Sequence, residues 1–274
     1  MADFINLMKK EIEENDPYTY RVADGTKVIK ASEFSHANYK KIILPPSVEK
    51  IEAEAFIYSA IEEINLPDSI TSIGSRAFYS CYYLKKIKIP SQVTCIEDST
   101  FENCDNLEAI DIPKNVTKIG EYAFYACESL VNVSLPDRLK TINKYAFANC
   151  RSLNEIQLPE SLDELYSMAF ANTPLTTVYL PQEMEIIDDD IFDGSNLEKL
   201  FMPFSLTSLS KHPIGYSVDN IKIYIIPSFR EKFPDFTKYH EMHVVDLTLD
   251  ELLQTGMTLS KINDALTGQS QIDR

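Results

Sequence analysis

The sequence predicts an α/β repeat protein: a stack of strand-bearing coils with a helical N-terminal cap and C-terminal helices. Three observations carry this prediction. Proline recurs as Pro45, Pro67, Pro90, Pro113, Pro136, Pro159, Pro181, Pro203 and Pro227, in steps of 22 to 24 residues. Phenylalanine recurs eleven residues behind the prolines, as Phe56, Phe78, Phe101, Phe124, Phe147, Phe170 and Phe192. Both ends of the chain lose this period and take on helical spacing instead.

Each column of the repeat has a physical reading. Leu107 to Pro113 reads LEAIDIP, an alternation that suits a strand with one buried face. Proline lacks an N–H and ends that strand. Val116 and Ile119 turn the chain back inward, and Ala123 with Phe124 brings a small residue and a large ring to the core. Stacked strands repeat about every 4.8 Å, so the phenylalanines should form one continuous spine. No coil can bury its own apolar face, so stability comes from neighbouring coils.

The pattern L-x-x-I-x-L-P-x-x-V-x-x-I-G-x-x-A-F-x-x-C resembles the BspA-like leucine-rich-repeat family. Eight units run from Tyr39 to Asn220, with a ninth strand at Ile221 to Pro227. The resemblance implies a right-handed leucine-rich-repeat solenoid with a parallel β-sheet on one face. It also implies a binding or adhesion role, in a family whose members are often surface-exposed or secreted.

The parts follow in order. Residues 1–38 are expected to form an N-terminal helix and capping strands. The helix lies at Asp3–Asn15, with Phe4, Ile5, Leu7, Met8 and Ile12 on one face, and a hairpin or lead-in strand at Tyr18–Ile29. Residues 39–227 form the solenoid. Residues 228–247 form a C-terminal cap that ends in a strand near His243–Leu247. Residues 248–274 form a helical appendage, opened by the Thr248-x-x-Glu251 capping box and divided at Gly256.

Composition narrows the function. Of 274 residues, 44% are hydrophobic and 25% charged, which supports a buried core. Lys and Arg number 26 against 42 Asp and Glu, a net charge of −16. Nucleic acid is therefore not an expected partner. Only 7 glycines are present, and neither a dinucleotide fingerprint nor a phosphate-binding loop occurs. No apolar run is long enough to span a bilayer, so membrane insertion is not expected. The N-terminus lacks the apolar core of a secretory signal. The expected location is cytoplasmic, with leaderless export to the surface or medium as the alternative.

No residue set points to catalysis, a cofactor or a metal, and no enzyme is expected. Cys81, Cys104, Cys127 and Cys150 share one column, which reads as a buried thiol ladder. Bridges Cys81–Cys104 and Cys127–Cys150 remain the alternative under oxidising conditions, because stacked coils bring them within bonding range. His240-x-x-His243 would point to opposite faces of a strand. Asp188, Asp189 and Asp190 read as a solvated turn.

The sheet face is the expected partner surface. Its outward fifth-position column reads Ile43, Asn65, Lys88, Asp111, Ser134, Gln157, Tyr179, Phe201 and Ile225, polar in the middle and apolar at the end. Thr177, Lys199 and Ile223 lie beside that end. The N-terminal half alternates charge from coil to coil, as in Lys40 and Lys41, Glu62 and Glu63, Lys85 and Lys86. Opposite charges there should pair across strands. The expected function is a non-enzymatic scaffold that binds a protein through Tyr179, Phe201, Ile223, Ile225, Thr177 and Lys199. Coverage of that patch by the C-terminal helices is an open alternative, as is an adhesion-type role. The partner's identity and the oligomeric state are not legible.

Overall fold

The computed structural model describes residues 16–184, 186–203, 205–206, 208–210, 212–218, 221–226, 232–233 and 243–247. Through residue 226 the described chain is strand and tight turn, with no helix. The expected N-terminal helix at Asp3–Asn15 and the helices of residues 248–274 lie outside the described residues.

Every strand pair is parallel, because each coil returns the chain to the same point one step along the axis. The sheet face holds β1 (Thr19–Arg21), β3 (Lys41–Ile43), β5 (Glu63–Asn65), β7 (Lys86–Ile87), β9 (Ala109–Asp111), β11 (Asn132–Ser134), β14 (Thr177–Tyr179), β16 (Lys199–Phe201), β18 (Lys222–Ile225) and β19 (His243–Asp246). The last strand falls where the sequence places it, in register with Lys222–Ile225. Two-residue strands form a second ladder behind the proline turn. One set pairs β2 (Val28–Ile29), β4 (Lys50–Ile51) and β6 (Ser72–Ile73), and a second pairs β8 (Cys95–Ile96), β10 (Lys118–Ile119), β12 (Thr141–Ile142), β13 (Glu164–Leu165), β15 (Ile186–Ile187) and β17 (Ser208–Leu209).

The stretch expected as a hairpin or lead-in strand is a complete coil. Thr19–Arg21 pairs forward with Lys41–Ile43, and Val28–Ile29 pairs forward with Lys50–Ile51. A hairpin would pair the two strands with each other. Phe34 then takes the phenylalanine position and stacks on Phe56 at 5.3 Å. Proline is absent from this coil, which hid it from a proline-based count.

The spine forms as expected. Phe34, Phe56, Phe78, Phe101, Phe124, Phe147, Phe170 and Phe192 stack with centroids 5.0 to 5.9 Å apart and planes within 11°. Centroid spacings above the strand spacing of about 4.8 Å give the offset stack that ring quadrupoles favour. Ala123 and its equivalents Ala55, Ala77, Ala146 and Ala169 are fully buried beside the rings.

Hydrogen bonds join successive coils at up to three sites. The sheet ladder is one and the two-residue ladder is another. On the phenylalanine side, alternate N–H groups donate to the following coil, as in Tyr122 to Lys144 (3.0 Å), Phe124 to Ala146 (2.8 Å) and Ala126 to Ala148 (2.9 Å). This alternation needs a left-handed residue on each side of the ring: φ is 55° at Tyr122 and 54° at Ala126. Within a coil, the proline carbonyl accepts a tight-turn bond from the residue three places on, as Pro113 does from Val116.

The cysteine column is a ladder of free, buried thiols. Each Sγ donates to the carbonyl of a phenylalanine in the preceding coil: Cys81 to Phe56, Cys104 to Phe78, Cys127 to Phe101 and Cys150 to Phe124, at 3.1 to 3.2 Å. Burial pushes the Cys81 thiol up to about 12 and raises Cys104, Cys127 and Cys150 well above the ordinary value of 9.0. Cys95, outside the column, is half-buried and raised to about 11.

Three outcomes follow from this packing. Phe124→Ala opens a cavity in the middle of the spine and should cost about 3–5 kcal/mol in urea unfolding. Ala126→Gly relieves a left-handed alanine at some entropic cost, and should raise stability by about 0.5 kcal/mol in the same assay. Because the folded thiols titrate above the unfolded value of 9.0, stability should hold below pH 9 and fall as pH rises from 9 toward 12. Each thiol contributes about 1.4 kcal/mol per pH unit, and Cys127→Ala should flatten the slope of the urea midpoint against pH.

Candidate functional site

The sheet face runs in three segments rather than one. Ladder pairing joins β1 to β7, then β9 to β11, then β14 to β19. Residues 155–157 match the strand pattern yet form no strand, and no backbone bond joins them to either neighbouring strand among the described residues. The two-residue ladder and the spine continue behind the gap: Thr141 pairs with Glu164, and Phe147 stacks on Phe170 at 5.4 Å.

Tyr179 opens the third segment. Its ring stacks on Phe201 at 4.3 Å, and Phe201 stacks on Tyr224 at 4.4 Å. These spacings match the strand step, so the rings stand face to face along the column. Gln157 occupies the place before Tyr179, so the first ring has no aromatic neighbour on that side. Tyr179 is 43% exposed, whereas Phe201 is 6% exposed. Beside them Thr177 is half-buried and Lys199 exposed.

Two of the six expected partner residues face inward. Ile223 and Ile225 are 0% and 1% exposed. Ile223 is in register with the core residue Leu200, while Tyr224 is in register with Phe201. Counting back two residues from each proline places Ile225 in the outward column, but the step from Pro203 to Pro227 is 24 residues and the last strand is one residue longer. A shift of one residue exchanges the faces of a strand. The 24-residue step was the signal for Tyr224. The exposed patch is therefore Tyr179, Thr177 and Lys199, with Phe201 and Tyr224 as the buried continuation of the stack.

The N-terminal half pairs its charges as the alternation predicts. Glu62 lies between Lys40 (2.9 Å) and Lys85 (3.7 Å), and Lys41 reaches Glu63 at 3.8 Å. The hydrogen bond and charge of Lys40 hold the Glu62 carboxyl below its ordinary value.

The acidic run is not a solvated turn. Asp188, Asp189 and Asp190 are half-buried. Asp188 accepts the Ser167 N–H at 3.2 Å, and Asp189 accepts the His212 N–H at 2.9 Å, so both side chains join neighbouring coils. Asp190 buries an Oδ1 with no partner among the described residues, and desolvation raises its carboxyl. His240 lies outside the described residues, which leaves the His240–His243 pair without a geometry. Among the described residues no three His, Cys, Asp or Glu side chains gather to hold a metal, and no helix is long and apolar enough to cross a membrane.

Known structures share this architecture. A leucine-rich repeat protein from Bacteroides ovatus is 26% identical, with a TM-score of 0.59, over 77% of this chain and 64% of that one. A leucine-rich repeat protein from Eubacterium ventriosum is 27% identical, with a TM-score of 0.55, over 74% of this chain and 48% of that one. The leucine-rich repeat protein of T. pallidum is 29% identical, with a TM-score of 0.52, over 54% of this chain and 73% of that one. The chain thus spans less than two thirds of the first two proteins. No protein of curated function matches it. The model of the BspA type leucine rich repeat region matches residues 19–130 and 117–237, beginning at the coil that carries Phe34, and the chain belongs to that family.

Proposed function

We propose that the protein is a non-enzymatic scaffold that binds a protein partner through the sheet face toward the C-terminal end of the solenoid. The observation that carries this reading is the exposed Tyr179 ring at the head of a rigid three-ring stack, flanked by Thr177 and Lys199. An aromatic ring held by its neighbours loses little entropy on contact, and such rings serve as interface anchors. The rest of the face supports the same end of the molecule. Upstream, lysines and glutamates pair with each other and leave less charge for a partner. Repeat solenoids present extended surfaces of this kind, and leucine-rich-repeat proteins are generally interaction scaffolds.

The proposal keeps the cytoplasmic location expected from the sequence. Recovery of the protein from the cell surface or the medium on fractionation would favour the adhesion-type role instead. The direct test is affinity capture with wild-type protein and with Tyr179→Asp plus Lys199→Glu. Both positions are on the outer face, so thermal unfolding should be nearly unchanged while recovery of the specific partner falls about tenfold. Equal recovery by the double variant would remove the sheet face from consideration.

A further inference from the structure

The turn side of the solenoid carries a feature that the sheet-face reading does not use. The residue two places after each core phenylalanine has a left-handed backbone, and from Asn103 onward it is at least partly exposed. Asn103, Ala126, Asn149 and Asn172 hold this place at φ between 54° and 61°, and Gly194 holds it at 70°. Gly194 is where the column loses its side chain. A Cβ at that position would lie 2.1 Å from Asn172 Oδ1, so the Asn172 carboxamide occupies space that any other residue would take.

Beside it is a shallow cup of about 370 Å³ lined by Asn149, Arg151, Asn172, Thr173, Pro174, Gly194 and Asn196. None of its three carboxamides makes a side-chain hydrogen bond among the described residues. The Arg151 Nε lies 3.6 Å from Glu128, and its side chain is 68% exposed.

We propose that this cup binds a neutral saccharide. A carboxamide accepts through oxygen and donates through nitrogen, so it matches two neighbouring sugar hydroxyls, which do the same. Three unengaged carboxamides around one hollow supply that chemistry several times over. The guanidinium adds donors, and Glu128 balances its charge. An anionic ligand fits less well: the one cation is already paired, and the protein carries a net charge of −16. An apolar ligand would find only the Pro174 ring as an apolar side chain among the lining residues. The open shape points to a dissociation constant on the order of 1 mM for a single sugar.

Saturation-transfer NMR on the full chain tests the site. The probes are the methyl glycosides of glucose, galactose, mannose and N-acetylglucosamine, with sodium glucuronate and inorganic phosphate as charged comparators. At least one neutral glycoside should receive transfer to its ring protons. Asn172→Gly accepts the left-handed backbone and removes only the carboxamide, so it should stay folded by thermal melting and bind about tenfold more weakly. Tyr179→Asp should leave sugar binding intact, which separates this site from the sheet face. The proposal is overturned by absence of transfer to every neutral glycoside. Tighter binding of glucuronate or phosphate would also overturn it, as would equal binding by wild type and Asn172→Gly.

Discussion

A single coil of this chain leaves two needs unmet. Its apolar side chains have no second layer to pack against, and its strand N–H and C=O groups have no partner within the coil. The next coil meets both at once, because the same translation that stacks Phe124 on Phe147 also brings the Phe124 N–H to the Ala146 carbonyl. The phenylalanine carbonyl shows how tightly the two are coupled. Phe101 O accepts the Cys104 N–H in its own coil at 3.2 Å and the Cys127 Sγ from the following coil at 3.1 Å. A small donor at the cysteine position is therefore part of the stacking, which explains why a column that could have held any small residue holds four thiols in succession.

The scarcity of glycine has its cause in the same stacking. Fifteen non-glycine residues among those described have positive φ, mostly in pairs that bracket a core ring. Left-handed backbone costs about 1–2 kcal/mol for such residues, and the bonds to the next coil hold it in place. Glycine serves elsewhere, at close approach. A Cβ on Gly120 would lie 2.6 Å from the Asp98 N, and one on Gly74 would lie 2.6 Å from the Ala53 N. Side chains do the remaining bridging: Ser69 donates to the Pro46 and Val48 carbonyls, and Ser205 to those of Gln182 and Met184.

Position along the stack, more than residue type, decides which aromatic groups are available to a partner. Tyr179, Phe201 and Tyr224 form one column of similar rings, yet only the first is substantially exposed. It is the first because Gln157 precedes it and because residues 155–157 break the sheet ladder there. The spine continues through that coil, so the interruption belongs to the sheet face alone. On the turn side, the cup lies where Gly194 gives way to the Asn172 carboxamide in an otherwise regular column.

The repeat period, the proline stop, the phenylalanine spine, the buried cysteines and the charge pairing of Lys40 with Glu62 were legible in the amino-acid order, because each depends on a column that recurs at a fixed step. What does not recur at that step was not legible. The coil at 18–37 lacks proline and passed as a cap. The extra residue before Pro227 exchanged the faces of Ile225 and Tyr224. The gap at 155–157 follows a sequence that matches its neighbours, and in the acidic run Asp188 and Asp189 bond to neighbouring coils. The sequence by itself determined that the chain is a stack of coils and which residues fill its interior, since burial of a periodic apolar face is a local requirement repeated many times. Only the tertiary structure decided which outward residues are free, because exposure depends on the register of the next coil, and one residue of slip is enough to reverse it.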